Sequence, residues 1–436
     1  MRALDLLENT KENVFITGRA GTGKSTLLKY FRSQTKKNIV VLAPTGVAAV
    51  NIGGQTIHSF FHFRPDITIQ KVSKIRIGAD EGITYQRLET LVIDEVSMVR
   101  ADILDCVDAF LRSHGPQARK PFGGVQLVLI GDLYQLPPVT TRDDERIFSE
   151  HYDSPYFFSA HVFSSKQRSL LSKDKFHLKY LELEKVYRQS DDNFIQLLNK
   201  IRDSSAVESD YAVLNARLNP NFDPPPSAMY VHLTTTNAMA DEINQRKLIQ
   251  LKANNNFFRG SVVGKFDEKY LPTATELNVK IGAQVMMLNN DPAGRWINGT
   301  IGKVVSMENG EEGGPRHILV RLENGETEPV SPHRWDIYHF SFNKRSKRIE
   351  SESVGSFTQY PLKLAWAVTI HKSQGKTFDR VIIDIGRGTF SSGQLYVALS
   401  RATTLPGIVL KKPLHKQHVW LDGRIATFIS SLVKEG

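Results

Sequence analysis

The chain has 436 residues, 56 lysines and arginines against 46 acidic residues, a formal charge of +10 and one cysteine. That length suits about two to four domains with cores of their own and excludes a small stapled scaffold. The lone Cys106 excludes an intramolecular disulfide and a metal site of clustered thiolates, and it suits a reducing compartment. The basic excess fits a polyanionic partner or, equally, a solvated basic surface. The longest apolar runs, NIVVLAP and GVQLVLIG, are strand-length, so no membrane span is expected.

The opening MRALDLLENTKEN mixes acids with leucines and predicts a first helix rather than a signal peptide. With no targeting segment, a cytoplasmic location is expected in a prokaryotic host. Strands and helices then alternate: VFIT and KSTLLKYFRSQ, NIVVLAP and GVAAVN, LVIDEVSM and ADILDCVDAFLR, then QLVLIGD. Such alternation predicts a parallel sheet with helices on both faces, its functional loops at the carboxyl ends of the strands. Cys106 falls within one of those helices.

GRAGTGKS, residues 18 to 25, lies between the first strand and the first long helix. It fits a phosphate loop in which Gly18, Gly21 and Gly23 let backbone amides face an anion, Lys24 reaches the outer phosphates and Ser25 ligates magnesium. LVIDEVSM delivers Asp94 and Glu95 at a strand end, one toward the metal and the other toward an attacking water. The next strand leads to Gln135, held before Pro137 and Pro138. A neutral amide there suits hydrogen bonding to a group that changes charge. Arginines suit the charge that develops on an outer phosphate, and Arg188 and Arg401 are the candidates, although either on its own reads more readily as a surface or ion-pair arginine.

A helix NFIQLLNKIR and a strand YVHLTTT ending at Asn237 follow, and apolar segments return in KLAWAVTIHKS, RVIIDI and GIVLKK. Between them LNVKIGAQVMMLNND, GTIGKVVSM and HILVRLENG alternate like strands. The expected organisation is a first α/β domain over 1–175, a second over 176–270 and 351–436, and a small inserted β-barrel over 271–350. Residues 61–86 are a short insertion, read as a wedge or as a surface excursion. Phe60, Phe61, Phe63, Trp366 and Tyr396 lie in or beside apolar segments and are expected to pack in cores.

The ordered set GRAGTGKST, APTGVAAVNIGGQTIHSFF, VIDEVSM, GDLYQLPPV, EKVYRQ, LTTTN, VTIHKSQGKTFD and YVALSRAT resembles superfamily 1 DNA helicases of the petite-integration-frequency (Pif) family. The resemblance implies two RecA-like parallel-sheet motor domains, ATP and Mg2+ as cofactors, and 5′-to-3′ movement on single-stranded DNA with unwinding of forked duplexes. Removal of bound proteins without strand separation, or an ATP-gated clamp, are the alternatives. By the same resemblance Lys24, Ser25, Thr26, Asp94, Glu95, Gln135, Arg188, Gly375 and Arg401 serve the nucleotide, with Gln135 sensing the outer phosphate and both arginines reaching across from the second domain. Thr45, Gly46, Thr56, His58, Thr235, Asn237, His371, Lys372, Ser373 and Gln374 are assigned to the DNA strand. The implied working form is a monomer on DNA, with DNA-dependent self-association allowed. The stretch before the first strand lacks the glutamine with which such proteins read adenine, so base selectivity does not carry over.

Overall fold

The computed structural model describes residues 2–140, 144, 148, 150–163, 176–189, 191–309, 316–386, 388–389 and 391–435. The chain forms two compact units. The first comprises Met1–Val186, Asp336–Gly355 and Asp422–Gly436, and the second Tyr187–Trp335 and Ser356–Leu421.

In the first unit, helix α1 (Arg2–Asn9) precedes β1 (Asn13–Gly18) and α2 (Lys24–Gln34). Then come β2 (Ile39–Ala43), α3 (Gly46–Asn51), β3 (Gln55–Thr56), α4 (Ile57–Phe60), α5 (Ile69–Val72) and α6 (Ala79–Arg87). β4 (Thr90–Ile93), α7 (Ala101–His114), β5 (Gln126–Ile130) and β6 (Leu178–Leu183) complete the series. The six strands form one sheet in the order β3-β2-β4-β5-β1-β6, and every pair is parallel. β4 and β5 are buried at every position, which is why they read as continuous apolar runs rather than alternating ones.

The boundary expected at residue 175 lies outside the described residues, but 176–186 do not belong to the second domain as the sequence suggested. β6 pairs with β1 over six residues, from Asn13 opposite Leu178 to Gly18 opposite Leu183. The C-terminal helix Gly423–Glu435 also returns to the first unit. Its Phe428 ring stacks on Phe158 at 4.5 Å and meets Phe157 at 5.8 Å and Phe15 at 6.2 Å.

The insertion 61–86 is helical. Phe61 and Phe63 at its start, with Tyr85 from α6, form one aromatic cluster with Phe60 and Phe110 of α7. These phenylalanines are core, as expected from their apolar neighbours. Residues 336–355 dock on this region: the Phe342 amide donates to Thr84 Oγ1 at 2.9 Å, and Lys344 pairs with Asp80 at 2.8 Å. Residues 336–350 were assigned to the inserted barrel and 351–355 to the second domain. Alternation marks the faces of a strand but not its partner, and their partners lie in the first unit.

The second unit holds β7 (Val231–Thr234), β8 (Asn256–Arg259), β9 (Ser261–Gly264), β10 (Glu276–Val279), β11 (Gln284–Met287), β12 (Ile301–Glu308), β13 (His317–Leu322) and β14 (Thr327–Val330). β15 (His333–Asn343) and β16 (Arg348–Gln359) run through the segment shared with the first unit. β17 (Leu362–Leu364), β18 (Ala367–Thr369), β19 (Val381–Asp384) and β20 (Ile408–Leu410) follow. β18-β7-β19-β20 form a parallel sheet, whereas β14-β13-β12-β11-β17 form an antiparallel one. The antiparallel sheet has its own core of Val279, Val285, Met287, Trp296, Val304, Ile318, Val320 and Leu362, against which Trp366 packs. Tyr396 is likewise buried in the second unit.

Candidate nucleotide and nucleic-acid sites

The loop after β1 is shaped by glycine where nothing else fits. Gly18, Gly21 and Gly23 have φ values of 149°, 82° and 86°, and a Cβ at Gly18 would stand 2.6 Å from the Leu183 carbonyl. Gly23 caps α2 without a side-chain hydrogen bond, so the first-turn amides of Lys24, Ser25 and Thr26 lie at a helix N-terminus suited to an anion. Lys24 Nζ curls over the loop and donates to the carbonyls of Gly18 at 2.6 Å and Arg19 at 3.1 Å.

Asp94 follows the end of β4. Burial pushes its carboxyl up, while the Glu95 amide, 2.9 Å away, and the Lys24 charge pull it back. A buried carboxylate with a raised pKa beside a phosphate loop is the donor chemistry a divalent cation satisfies, and the Ser25 hydroxyl sits on the helix that begins there. Glu95 adopts a left-handed backbone, φ 50° and ψ 42°, which costs a non-glycine residue about 1–2 kcal/mol. That turn separates the two acids although they are adjacent in sequence.

Gly131, which follows β5, lets this turn come close, since a Cβ there would meet the Val96 amide nitrogen at 3.0 Å. Its own amide donates to Ile16 of β1 at 3.1 Å, tying the Gln135 loop to the phosphate-loop strand. Gln135 is buried and donates from Nε2 to Asp132 Oδ2 at 3.1 Å, while Asp132 Oδ1 accepts from the Tyr134 amide. Asp132 was not among the expected site residues. Its signal was its place three residues before the glutamine, on the same loop.

In the second unit, Arg188 donates to the carbonyls of Ser400 at 3.3 Å and Gly375 at 3.4 Å, and burial lowers its pKa. Arg401 differs. It is 1% exposed and donates to Val397, Ser373 and Lys376 carbonyls and to Ser400 Oγ, at 2.8 to 3.3 Å. Its guanidinium holds the 373–376 loop against helix Gln394–Leu399. Gln189, also missed, donates to Ser400 and Ala402 carbonyls and joins the same knot.

The residues assigned to a DNA strand fall on carboxyl ends of adjacent strands within each unit. Thr45 and Thr56 follow or end the paired strands β2 and β3, and each hydroxyl caps the next short helix, accepting from Ala48 and Ser59 amides. Gly46 is buried, and His58 meets the Phe63 ring edge-on at 6.4 Å. Thr235 to Asn237 follow β7, and His371 to Gln374 follow its neighbour β18. The strand ends at Thr234 rather than Asn237, because Thr236 caps the helix Asn237–Gln250. His371 and Gln374 are half-buried and Lys372 is exposed. Ser373 must be withdrawn from the strand contacts: it is 0% exposed and its hydroxyl donates to Ile370 at 2.7 Å, so it shapes the turn.

A phosphate loop on the first strand of a parallel sheet, with a glutamine-bearing loop after the neighbouring β5 and an acid-bearing loop after β4 beyond it, defines a phosphate-loop nucleotide-binding protein. The PIF1-like helicase family model matches residues 3–211, and a UvrD-like helicase C-terminal domain matches residues 364–409. The chain is 32% identical to the ATP-dependent DNA helicase Pif1 of Bdellovibrio bacteriovorus over 94% of its own length and 86% of that protein. It is 35% identical to the human ATP-dependent DNA helicase PIF1 over 91% of its length, and spans 58% of that longer protein. The Bacteroides Pif1 structure with ADP-AlF4 superposes with a TM-score of 0.88 at 36% identity, covering 100% of this chain and 96% of the other. The chain belongs to the PIF1-like helicase family.

Proposed function

We propose that the protein is an ATP-dependent DNA helicase that moves 5′-to-3′ along single-stranded DNA and opens forked duplexes. The observation that carries this reading is the glycine-shaped phosphate loop after β1, opening on the N-terminus of α2, in the same sheet as the strand that ends at the buried Asp94 and in a unit whose adjacent β2 and β3 also end in polar loop residues. Nucleotide and strand would thus be served from one edge of one sheet. The family membership supports it, and Bacteroides Pif1 has been seen bound to single-stranded DNA.

The phosphate-loop amides and Lys24 bind the ATP phosphates, and Thr26 extends the set on α2. Ser25 and Asp94 would hold Mg2+, which would supply charge neutralisation to the phosphates. Glu95, turned away from Asp94, orients and deprotonates the attacking water. Gln135 exchanges its bond to Asp132 for one to the outer phosphate and so reports that phosphate to the proline-stiffened loop. Arg188 supplies positive charge to the same phosphate. Arg401 holds the 373–376 loop, whose Gly375 carbonyl accepts from Arg188.

Thr45, Gly46, Thr56, His58, Thr235, Asn237, His371, Lys372 and Gln374 grip the strand through phosphate contacts, which give hold without sequence preference. On this reading the parallel sheets are RecA-like motors, the antiparallel sheet of the second unit is the inserted barrel, and the helical insertion 61–86 is the wedge. The working form is a monomer on DNA that can associate with a second copy there. Forked duplexes with a 5′ or a 3′ single-stranded tail test the proposal. ATP-dependent unwinding is expected from the 5′ tail, and equal unwinding from the 3′ tail overturns the polarity.

A further inference from the structure

The second unit carries a group of cations that the nucleotide and strand assignments leave unused. Lys363 lies on β17 opposite Met286 of β11. Among the described residues its ammonium makes no hydrogen bond or ion pair. Lys376, two residues beyond Gln374, donates from Nζ to Asn298 Oδ1 at 2.6 Å. Asn298 lies on the β11–β12 loop, whose Gly299, at φ 105°, runs close along the Lys376 stem: a Cβ there would meet Lys376 Cβ at 3.2 Å. The same loop presents Ile297, which is 64% exposed.

Half-buried ammonium groups crowded together are costly unless an anion joins them. The charges of Lys376 and Lys372 act on Lys363, and only the Asp241 carboxylate opposes them. Burial and those lysines depress Lys363 to about 7, and burial lowers Lys376 to about 8. An apolar side chain beside a cationic recess suits a nucleic-acid strand, which offers a phosphate and, next to it, a sugar or base.

We propose that Lys363, Lys376 and Asn298 form a phosphate seat for single-stranded DNA on the second unit, with Ile297 against the adjoining sugar or base. The seat rests on the DNA-binding reading above and adds to it a grip outside the motif residues. It also adds a proton linkage. A phosphate favours the charged form of Lys363, so filling the seat draws a proton from solvent, and affinity falls as pH rises through the free-state pKa. The groups facing the seat are Lys372 and Asp241, with His371 on the neighbouring turn. Burial lowers the His371 pKa, so that ring titrates below the window in which Lys363 does.

The test measures binding of an oligothymidylate to the whole chain without nucleotide at fixed ionic strength, between about pH 6.5 and about pH 8.5. Wild-type affinity should fall roughly tenfold or more across that range. Lys363→Arg, which stays charged throughout, should hold its affinity within about twofold. Lys363→Met should bind roughly tenfold more weakly at the acid end, change little with pH and keep its DNA-independent ATP hydrolysis. A wild-type slope retained by Lys363→Arg overturns the seat, as does a wild type without a slope. Equal oligonucleotide affinity of wild type and Lys363→Met at the acid end overturns the strand assignment, and inorganic phosphate that then stabilises only the wild type assigns the seat to free phosphate. Failure of the wild type to bind the oligonucleotide at any pH instead removes the DNA-binding reading itself.

Discussion

At the scale of single residues, Glu95 adopts a left-handed backbone directly after Asp94, and on the proposed reading the two neighbours have separate tasks. Glu95→Gln should keep nucleotide binding while hydrolysis falls by roughly a hundredfold or more, read by single-turnover hydrolysis beside nucleotide affinity. The two arginines should part company. Arg188→Ala should lower turnover by up to about a thousandfold with an unchanged melting temperature. Arg401→Ala removes donors to four buried acceptors and should destabilise the second unit by about 3 kcal/mol or more, seen as an earlier denaturation midpoint. Gln135→Ala should leave DNA affinity without nucleotide near normal and shrink the change that an unhydrolysable ATP analogue produces. The phosphate loop and acid pair were legible because glycine spacing and strand-end carboxylates are local patterns. The burial of Arg401 and Ser373 was not legible, because a motif does not display how its residues pack.

At the scale of elements, the hydroxyls proposed to grip the strand are also helix caps. Thr56 caps α4 through the Ser59 amide, so Thr56→Ala should cost about 1 kcal/mol of stability as well as DNA affinity. Thr56→Ser, which keeps a capping oxygen, should recover the stability, and comparing thermal melts with DNA titrations separates the two effects. In the second sheet, burial and the charges of Lys411, Lys247 and Arg246 lower His232 of β7 to about 4. The unfolded imidazole takes up its proton near its ordinary value of about 6.5, and the folded one only near 4. The stability this neutral histidine contributes is therefore present above about 6.5 and lost as pH falls toward 4, which denaturation midpoints across that range would show. Strands and helices of both parallel sheets were readable from their apolar runs. The ownership of β6 and of residues 336–355 was not, since pairing across more than a hundred residues leaves no periodic mark.

At the scale of the whole molecule, the formal charge of +10 gives any polyanion a favourable approach, and phosphate contacts release counterions. Affinity for single-stranded DNA should fall steeply as salt rises, and a nearly flat salt dependence would assign the grip to bases rather than phosphates.

The first unit is assembled from three stretches of chain, and the third of them, with Phe428 against Phe15, Phe157 and Phe158, is synthesised only after the whole of the second unit. During translation its aromatic face therefore waits uncovered while the entire second unit is made, an interval of roughly ten to fifty seconds at ordinary elongation rates. The nascent protein carries an open hydrophobic flank through that interval, which is where a ribosome-associated chaperone would find it. Emergence of residues 422–435, rather than completion of the first sheet, marks the moment this unit is sealed. A ribosome-stalled chain ending at residue 421 should be cleaved near the phenylalanines under limited proteolysis, whereas a chain that includes residues 422–435 should resist.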